Sequence, residues 1–471
     1  MKETASTFWA AQIPEHSGKV IDEQTQTSLS YSSLNQQINA FITSLPRQRQ
    51  LMALIADNSL DFVIAYLALL RAQHVVLLLD KEDSDERHQA ILTQYKVNGL
   101  IHARQISWRS KEAINLHPTL ALLLTTSGST GSSKMVKLSY DNLTANCQAI
   151  CQYLPISAND TVMTTLPLHY SFGLSLLHSH LSVGATIILS NANPLEKRFW
   201  QVFNNFSITA FYGVPFSFSL LNKLNLKRLP LTTIKYFACA GGKIAVTDCQ
   251  LLTQFCEQHK QDLYLMYGQT EATARMAFLP PSKASTKPTF IGQAIPNGEL
   301  FLLDKHNNKI IQANQAGELC YQGANVFIGY ANSSEELAKA DSPKWLTTGD
   351  IAEFDHEGDF KIIGRVKRII KVVGKRINLD EVEQHLTLFY QQTIVVTGID
   401  DKLTIHLATD SNIQAQNSNN ALLSEESKLG EEVLTQALKF TCLHSRYITI
   451  NYLSAFPLLS NGKIDYKALN G

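Results

Sequence analysis

The chain has 471 residues, 45% hydrophobic and 17% charged, with Lys+Arg and Asp+Glu both at 41. That composition supports a sizeable core spread over more than one domain and excludes wholesale disorder. Zero formal net charge lacks the basic excess of a typical nucleic-acid binder, so no nucleic-acid partner is expected.

The opening Met1–Trp9 is too polar and acidic for a secretory leader. The most apolar stretch, Phe62–Leu79, is broken by Arg71, Gln73 and His74, and reads as a helix followed by a strand rather than a membrane span. Seven scattered cysteines without paired CxxC motifs argue against a zinc ribbon or a disulfide scaffold, and a reducing, cytoplasmic setting is expected. Cys147 and Cys151, four apart on a predicted helix, read as two half-buried thiols.

From about residue 61 to 267 apolar strand-like runs alternate with helical segments. The runs are His74–Leu79, Thr119–Thr126, Thr161–Leu166, Ala185–Leu189, Ile208–Tyr212, Ile234–Ala240 and Leu263–Met266. Helices are predicted over Tyr140–Tyr153, Lys197–Phe206 and Thr247–His259. Continuous apolar strands between helices predict parallel sheets covered by helices, an α/β fold. After Pro280, short strands and Gly turns such as Gly317–Tyr321 and Asp355–Phe360 predict an antiparallel, partly barrel-like region. A basic stretch, Arg365–Lys371, precedes a smaller α+β segment, and the polar run Ser411–Ser427 is expected to be a surface loop.

The first chemistry lies in Thr125-Thr126-Ser127-Gly128-Ser129-Thr130-Gly131-Ser132-Ser133-Lys134, directly after an apolar strand. Backbone N–H groups and hydroxyls in such a loop can wrap phosphate oxygens, with Lys134 adding charge. A solvated Ser/Gly linker is the plainer reading, but a linker seldom joins two strand-like runs in this way. The loop is not the common P-loop, because Ser133 and Met135 flank the lysine where Gly and Ser/Thr are needed.

This loop resembles the phosphate-binding signature of the adenylate-forming (AMP-binding) superfamily: acyl- and aryl-CoA synthetases, peptide-synthetase adenylation domains and luciferases. Further signatures follow in order from Leu67 to Lys463. Leu166-Pro167-Leu168-His169-Tyr170-Ser171-Phe172-Gly173-Leu174 is similar to the aromatic/His motif, and Ala240-Gly241-Gly242 to the Gly pair near the adenine. Tyr267-Gly268-Gln269-Thr270-Glu271 and Thr348-Gly349-Asp350 resemble the YGxTE and TGD motifs. Gly364-Arg365 through Gly374-Lys375-Arg376-Ile377 resembles the hinge motif, and Asn461-Gly462-Lys463-Ile464-Asp465 the C-terminal lysine motif.

The resemblance implies activation of a carboxylate by ATP to acyl-AMP and pyrophosphate, then acyl transfer. It implies a large N-terminal α/β domain over residues 1–364 with a small β-barrel-like subdomain. A hinge at 365–368 and a small mobile α+β domain at 369–471 would follow. Glu271 would ligate Mg²⁺ and Thr270 would touch a phosphate. Asp350 would grip the ribose, assisted by Arg365, and Lys463 would reach the α-phosphate and carboxylate oxygens. Lys367 would be the pivot, and Lys371 would lie on the face presented after rotation, together with the loop of Gly374. Tyr170, Phe172, Gly173, Tyr212 and Gly213 would line the acid pocket; for Tyr212-Gly213 and Gly241-Gly242, ordinary strand-end packing is an equal alternative.

Gly173 carries the substrate reading. Adenylation domains that select α-amino acids have Asp at this place to pair the ammonium, so the acid expected here lacks an α-amino group. Tyr170 stands where many CoA ligases have His, with His169 one place earlier, which leaves the role of the gate open. His178 and His180 read as packing residues. The expected function is adenylation of a small carboxylic acid followed by transfer to a thiol of CoA or of the phosphopantetheine on an acyl carrier protein. Transfer to an amine, or a non-catalytic nucleotide-binding module, are the alternatives. Luciferase-like oxidation has no specific support.

Overall fold

Apolar runs flanked by well-capped helices fold as the alternation requires. The computed structural model describes residues 8–9, 17–125, 134–341, 343–373, 375–390, 392–408, 419–441, 443–459 and 463–470, with the side chains of 367, 376, 419–427 and 470 left aside. The chain divides into two compact units, one of residues up to 300 with 320–346, the other of 301–319 with 347 onwards.

The first unit holds two sheets. One has strands in the order 330–331, 135–139, 120–125, 75–80, 51–56, 99–102 and 105–108. Its inner strands, Leu51–Ala56, Val75–Asp80 and Leu120–Thr125, run parallel and are buried almost throughout. The other runs through 290–294, 277–279, 262–267, 236–239, 210–213, 161–163, 186–189, 19–22 and 27–30. Its central strands, Thr161–Met163, Ala210–Gly213, Tyr236–Cys239 and Asp262–Tyr267, are also parallel. Their carboxyl ends therefore open on one edge, where open α/β sheets bind ligands. An aromatic cluster built on Phe199, Phe203, Phe211, Phe218 and Phe237 packs behind them.

The helix Tyr140–Tyr153 shows why local sequence suffices here. Ser139 accepts from the Asn142 N–H at 3.1 Å, and the Asn142 side chain accepts from the Ser139 N–H at 2.9 Å, a reciprocal cap. The same helix carries Cys147, buried, and Cys151, half-buried at 3.4 Å from Ser182 Oγ. His178 and His180 lie on the buried helix Ser171–Val183, where His178 stacks on Phe8 at 3.9 Å and bonds Tyr66.

The second unit contains strands in the order 309–310, 298–303, 317–323, 346–354 and 360–365, with chain crossings between units inside three of them. The pairs 298–303 with 309–310 and 346–354 with 360–365 are antiparallel. A hairpin, Ile369–Val372 with Lys375–Asn378, leads to the sheet 394–399, 402–408 and 448–453. Helices Leu379–Tyr390 and Asn419–Thr441 enclose with them a core of Val382, Leu386, Val396, Ile405 and Val433. The helix begins at Asn419, inside the polar run expected to be a loop, because Ala, Leu, Glu and Lys there are strong helix formers continuous with the apolar stripe of Leu429 and Val433. Among the described residues no helix is long and apolar enough to cross a membrane.

Candidate active site

The strand Asp262–Tyr267 ends in a turn that doubles back as Ala277–Leu279, with Tyr267 opposite Ala277. Gly268 is required at this turn: a Cβ there would lie 1.6 Å from the Ala274 carbonyl oxygen. Asn325, buried at 3% exposure, fixes the loop by donating to the carbonyls of Ala272 and Arg275, both at 2.9 Å. It accepts in turn from the Tyr321 hydroxyl at 2.8 Å. The Phe327 N–H donates to the Glu271 carbonyl at 2.8 Å. The loop is thus pre-set by groups far away in sequence, and Asn325 belongs to no motif that could have announced it.

Glu271 projects from the short helical turn Thr270–Ala272. Its Oε1 accepts from the Tyr330 hydroxyl at 2.8 Å, and Oε2 has no protein partner among the described residues. Lys134 Nζ sits 3.3 Å from the centroid of the same Tyr330 ring. The last residue of the Ser/Gly loop and the motif carboxylate therefore share one tyrosine, a link the sequence did not announce. Thr126, Ser127, Gly128, Ser129, Thr130 and Gly131 lie outside the described residues. Thr270 Oγ1 is 3.5 Å from Ser171 Oγ at the start of the helix Ser171–Val183.

Gly213 and Cys239 are partners at the ends of neighbouring parallel strands, and the Ala240 N–H donates to the Gly213 carbonyl at 3.2 Å. Gly241 follows with φ of +90°, a backbone that favours glycine, and Gly242 approaches the ring of Pro215. Phe172 and Tyr212 meet edge to face at 6.1 Å, both buried, and Tyr212 bonds Tyr236 at 2.9 Å. Tyr170 caps the helix that carries Phe172. Gly173 has a packing reason of its own, since a Cβ would lie 2.2 Å from the Pro167 carbonyl oxygen. His169 Nε2 is 3.4 Å from Asp80 Oδ2, and burial holds its pKa below the ordinary range against the pull of that carboxylate. Arg275, in no quoted motif, places its guanidinium 3.9 Å from the Phe172 ring.

In the second unit Asp350, 2% exposed, and Arg365 are register partners joined by a 2.9 Å ion pair. Gly349 before it has φ of +72°, and the Asp350 N–H bonds Thr348 Oγ1 at 3.0 Å. Lys367 lies in the short helical turn Val366–Arg368. Its neighbour Arg368 is largely buried. It pairs with Asp380 and with Glu383 and lies over the Tyr466 ring at 4.2 Å. The Tyr466 hydroxyl donates to Glu383 at 2.6 Å, and burial pushes the Glu383 carboxyl up against the pull of Arg368. Lys371 is exposed on the hairpin, its N–H donating to Asp400 at 2.8 Å; Gly374 lies outside the described residues. The Lys463 carbonyl accepts from the Leu459 N–H at 2.7 Å.

A protein-family model described as AMP-binding enzyme matches residues 8–118 and 103–331. The chain belongs to this family. AMP-binding enzymes form the adenylate-forming superfamily, and the sequence relatives span its branches. Luciferin 4-monooxygenase of Photuris pensylvanica is 24% identical over 424 residues, 88% of this chain and 75% of that protein. Bacitracin synthase 2 of Bacillus licheniformis is 26% identical over 503 residues, 98% of this chain. The match covers only 18% of that synthase, and 58% of the luciferin 4-monooxygenase of Luciola mingrelica, so the chain spans less than two thirds of several curated relatives. The fold of this AMP-binding enzyme is that of o-succinylbenzoate CoA synthetase from Bacillus subtilis, at TM-score 0.74 and 19% identity over 94% of this chain and 93% of that one. MatB from Rhodopseudomonas palustris matches at TM-score 0.77 and 18% identity, over 99% and 98%.

Proposed function

We propose that the protein adenylates a small carboxylic acid with ATP, releasing pyrophosphate, and passes the acyl group to a thiol of CoA or of a carrier-bound phosphopantetheine. The observation that carries this reading is Glu271, oriented by Tyr330 on one oxygen with the other left without a protein partner among the described residues, on a turn at the carboxyl edge of the parallel strands. Structural neighbours support it: the synthetase from Bacillus subtilis was solved with the acyl-adenylate OSB-AMP and with ATP and magnesium, and the ligase AuaEII with anthranoyl-AMP.

A single oriented carboxylate fits Mg²⁺, which keeps several waters and takes its remaining oxygens from phosphates. Glu271 would hold the ion, whose charge would offset that of the phosphates. Lys134, steadied over Tyr330, and the Thr270 hydroxyl supply positive charge and a donor to the β- and γ-phosphates. Phe172, Tyr212 and Gly213 form an apolar wall for the acid, with Gly173 admitting the close approach of the helix start to Pro167. Asp350, held by Arg365, offers a carboxylate to the ribose hydroxyls. Lys463 is assigned to the charge that grows on the α-phosphate and attacking carboxylate. Residues 369–471 would turn about 365–368, with Lys367 as pivot, withdrawing Lys463 and presenting Lys371 for thiol transfer.

The test is acid-dependent exchange of labelled pyrophosphate into ATP, followed by AMP release on addition of CoA, a phosphopantetheinylated carrier protein or an amine. Acid-dependent exchange with thiol-dependent AMP release is the expected result. Exchange with amine-dependent release would replace the thiol acceptor, and absence of exchange with every acid would overturn the reading.

A further inference from the structure

Arg275 is 1% exposed and heads the large side chains buried this completely. Its guanidinium stacks on Phe172, its Nε lies 3.4 Å from Met266 Sδ, and the Tyr153 hydroxyl is within hydrogen-bonding reach. Among the described residues no Asp or Glu pairs with it. A guanidinium stays charged under all ordinary conditions, and burying one without an anion is costly. A thioether and a phenol are not counter-ions, and the face of Phe172 offsets only part of the cost.

A purely structural duty does not explain the charge. The loop is already tied down through the backbone carbonyl of Arg275, which accepts from Asn146 at 3.0 Å and from Asn325. A methionine would fill the same space without the desolvation. The phenylalanine that Arg275 touches is the one on the wall assigned to the acid.

We propose that Arg275 is a specificity-determining residue that pairs with a second carboxylate on the substrate, so that the enzyme takes dicarboxylic acids. This rests on the adenylation reading above. The reacting carboxylate cannot be the lasting partner, because it loses its charge when the mixed anhydride with AMP forms. A second carboxylate keeps the guanidinium paired from acid to adenylate. The same cation repels an ammonium, a reason against α-amino acids that is independent of Gly173.

The experiment compares wild type, Arg275→Met and Arg275→Lys on matched pairs: hexanoate with adipate, and benzoate with isophthalate. Pyrophosphate exchange gives kcat/KM, and the shift in melting temperature with each acid alone gives binding without turnover. Wild type should prefer one diacid over its monoacid by roughly 30-fold or more, the loss typical when one member of a buried charge pair is missing. Arg275→Met should lose that preference and retain the monoacid. Arg275→Lys, which keeps charge but not the planar fork, should retain only part of it, and it serves as the test if Arg275→Met does not fold. Robust exchange without diacid preference in wild type, or equal losses for both acids in the folded variants, overturns the assignment. If no acid supports exchange but a diacid raises the melting temperature of wild type and not of the folded variant, adenylation falls and the anion site stands. If no acid does either, both fall.

Discussion

Replacing Tyr330 by Phe removes one atom from the site and asks whether Glu271 depends on it. The hydroxyl donates to Glu271 Oε1 at 2.8 Å, while the ring beneath Lys134 at 3.3 Å is untouched by the substitution. A hydrogen bond to a charged group contributes about 1.5–3 kcal/mol. Glu271 is only half-buried and water can replace the donor, so the lower end applies, which is roughly tenfold in an equilibrium. If the hydroxyl orients the carboxylate for Mg²⁺, the loss falls on metal affinity. In acid-dependent pyrophosphate exchange at saturating ATP, Tyr330→Phe should raise the half-saturating free Mg²⁺ about tenfold, and the maximal rate should recover at high Mg²⁺. Tyr330→Leu also removes the ring, so the KM for ATP should rise further, by a few-fold for a cation–π contact of about 1 kcal/mol. The double variant Tyr330→Phe with Glu271→Gln should be no worse than Glu271→Gln alone. An unchanged Mg²⁺ dependence in a folded Tyr330→Phe, or losses that simply add in the double variant, would refute the coupling.

Two further perturbations separate packing from chemistry. Gly173→Asp should not create an amino-acid-activating enzyme: its Cβ would lie 2.2 Å from the Pro167 carbonyl, and Gly173→Ala alone should cost about 1–3 kcal/mol of stability as the helix start shifts. Gly349→Ala, with φ of +72° but nothing within 4 Å, should cost about 1 kcal/mol from backbone conformation alone; a Gly173→Asp protein that melts like wild type and exchanges with an α-amino acid would contradict this. His178 and His180 supply a pH dependence, since burial pushes the first down to about 3 and the second to about 4. The unfolded chain takes up these protons below about 6.5 while the folded chain does not, so their stabilisation is complete above that pH and is lost on acidification towards 4. Denaturant unfolding at pH 7, 6 and 5 should show a slope smaller by about 1.4 kcal/mol per pH unit at full protonation in His178→Gln; an unchanged slope would mean His178 titrates normally.

The parallel strands were legible because burial on both faces writes continuous apolar runs, and those at Leu120–Thr125 and Asp262–Tyr267 fall within a residue or two of the expected bounds. The helix Tyr140–Tyr153 falls on its expected bounds, and its reciprocal cap, which the sequence reading did not use, fixes its start. Asn419 onwards was misread, because a polar helix end and a polar loop share a composition and only the stripe continuing to Val433 separates them. Motif residues such as Glu271 and Asp350 were visible, but what holds them was not. Tyr330 and Asn325 reach the motif loop across more than fifty residues. Arg368 was visible only as one member of the basic stretch Arg365–Lys371, because its acidic partners arrive on a later helix. Arg275 belongs to no quoted motif; a single arginine becomes informative only when it is found buried with no carboxylate partner among the described residues.

The central claim is tested most directly by measuring the two half-reactions of Lys463→Ala beside wild type. Wild type should exchange labelled pyrophosphate into ATP only when an acid is present. Lys463→Ala should lose that exchange by roughly 3–4 kcal/mol in the barrier, two to three orders of magnitude, while thiol transfer from pre-formed acyl-AMP changes little. Acid-independent exchange in wild type, or equal losses in both half-reactions of the folded variant, would contradict the account.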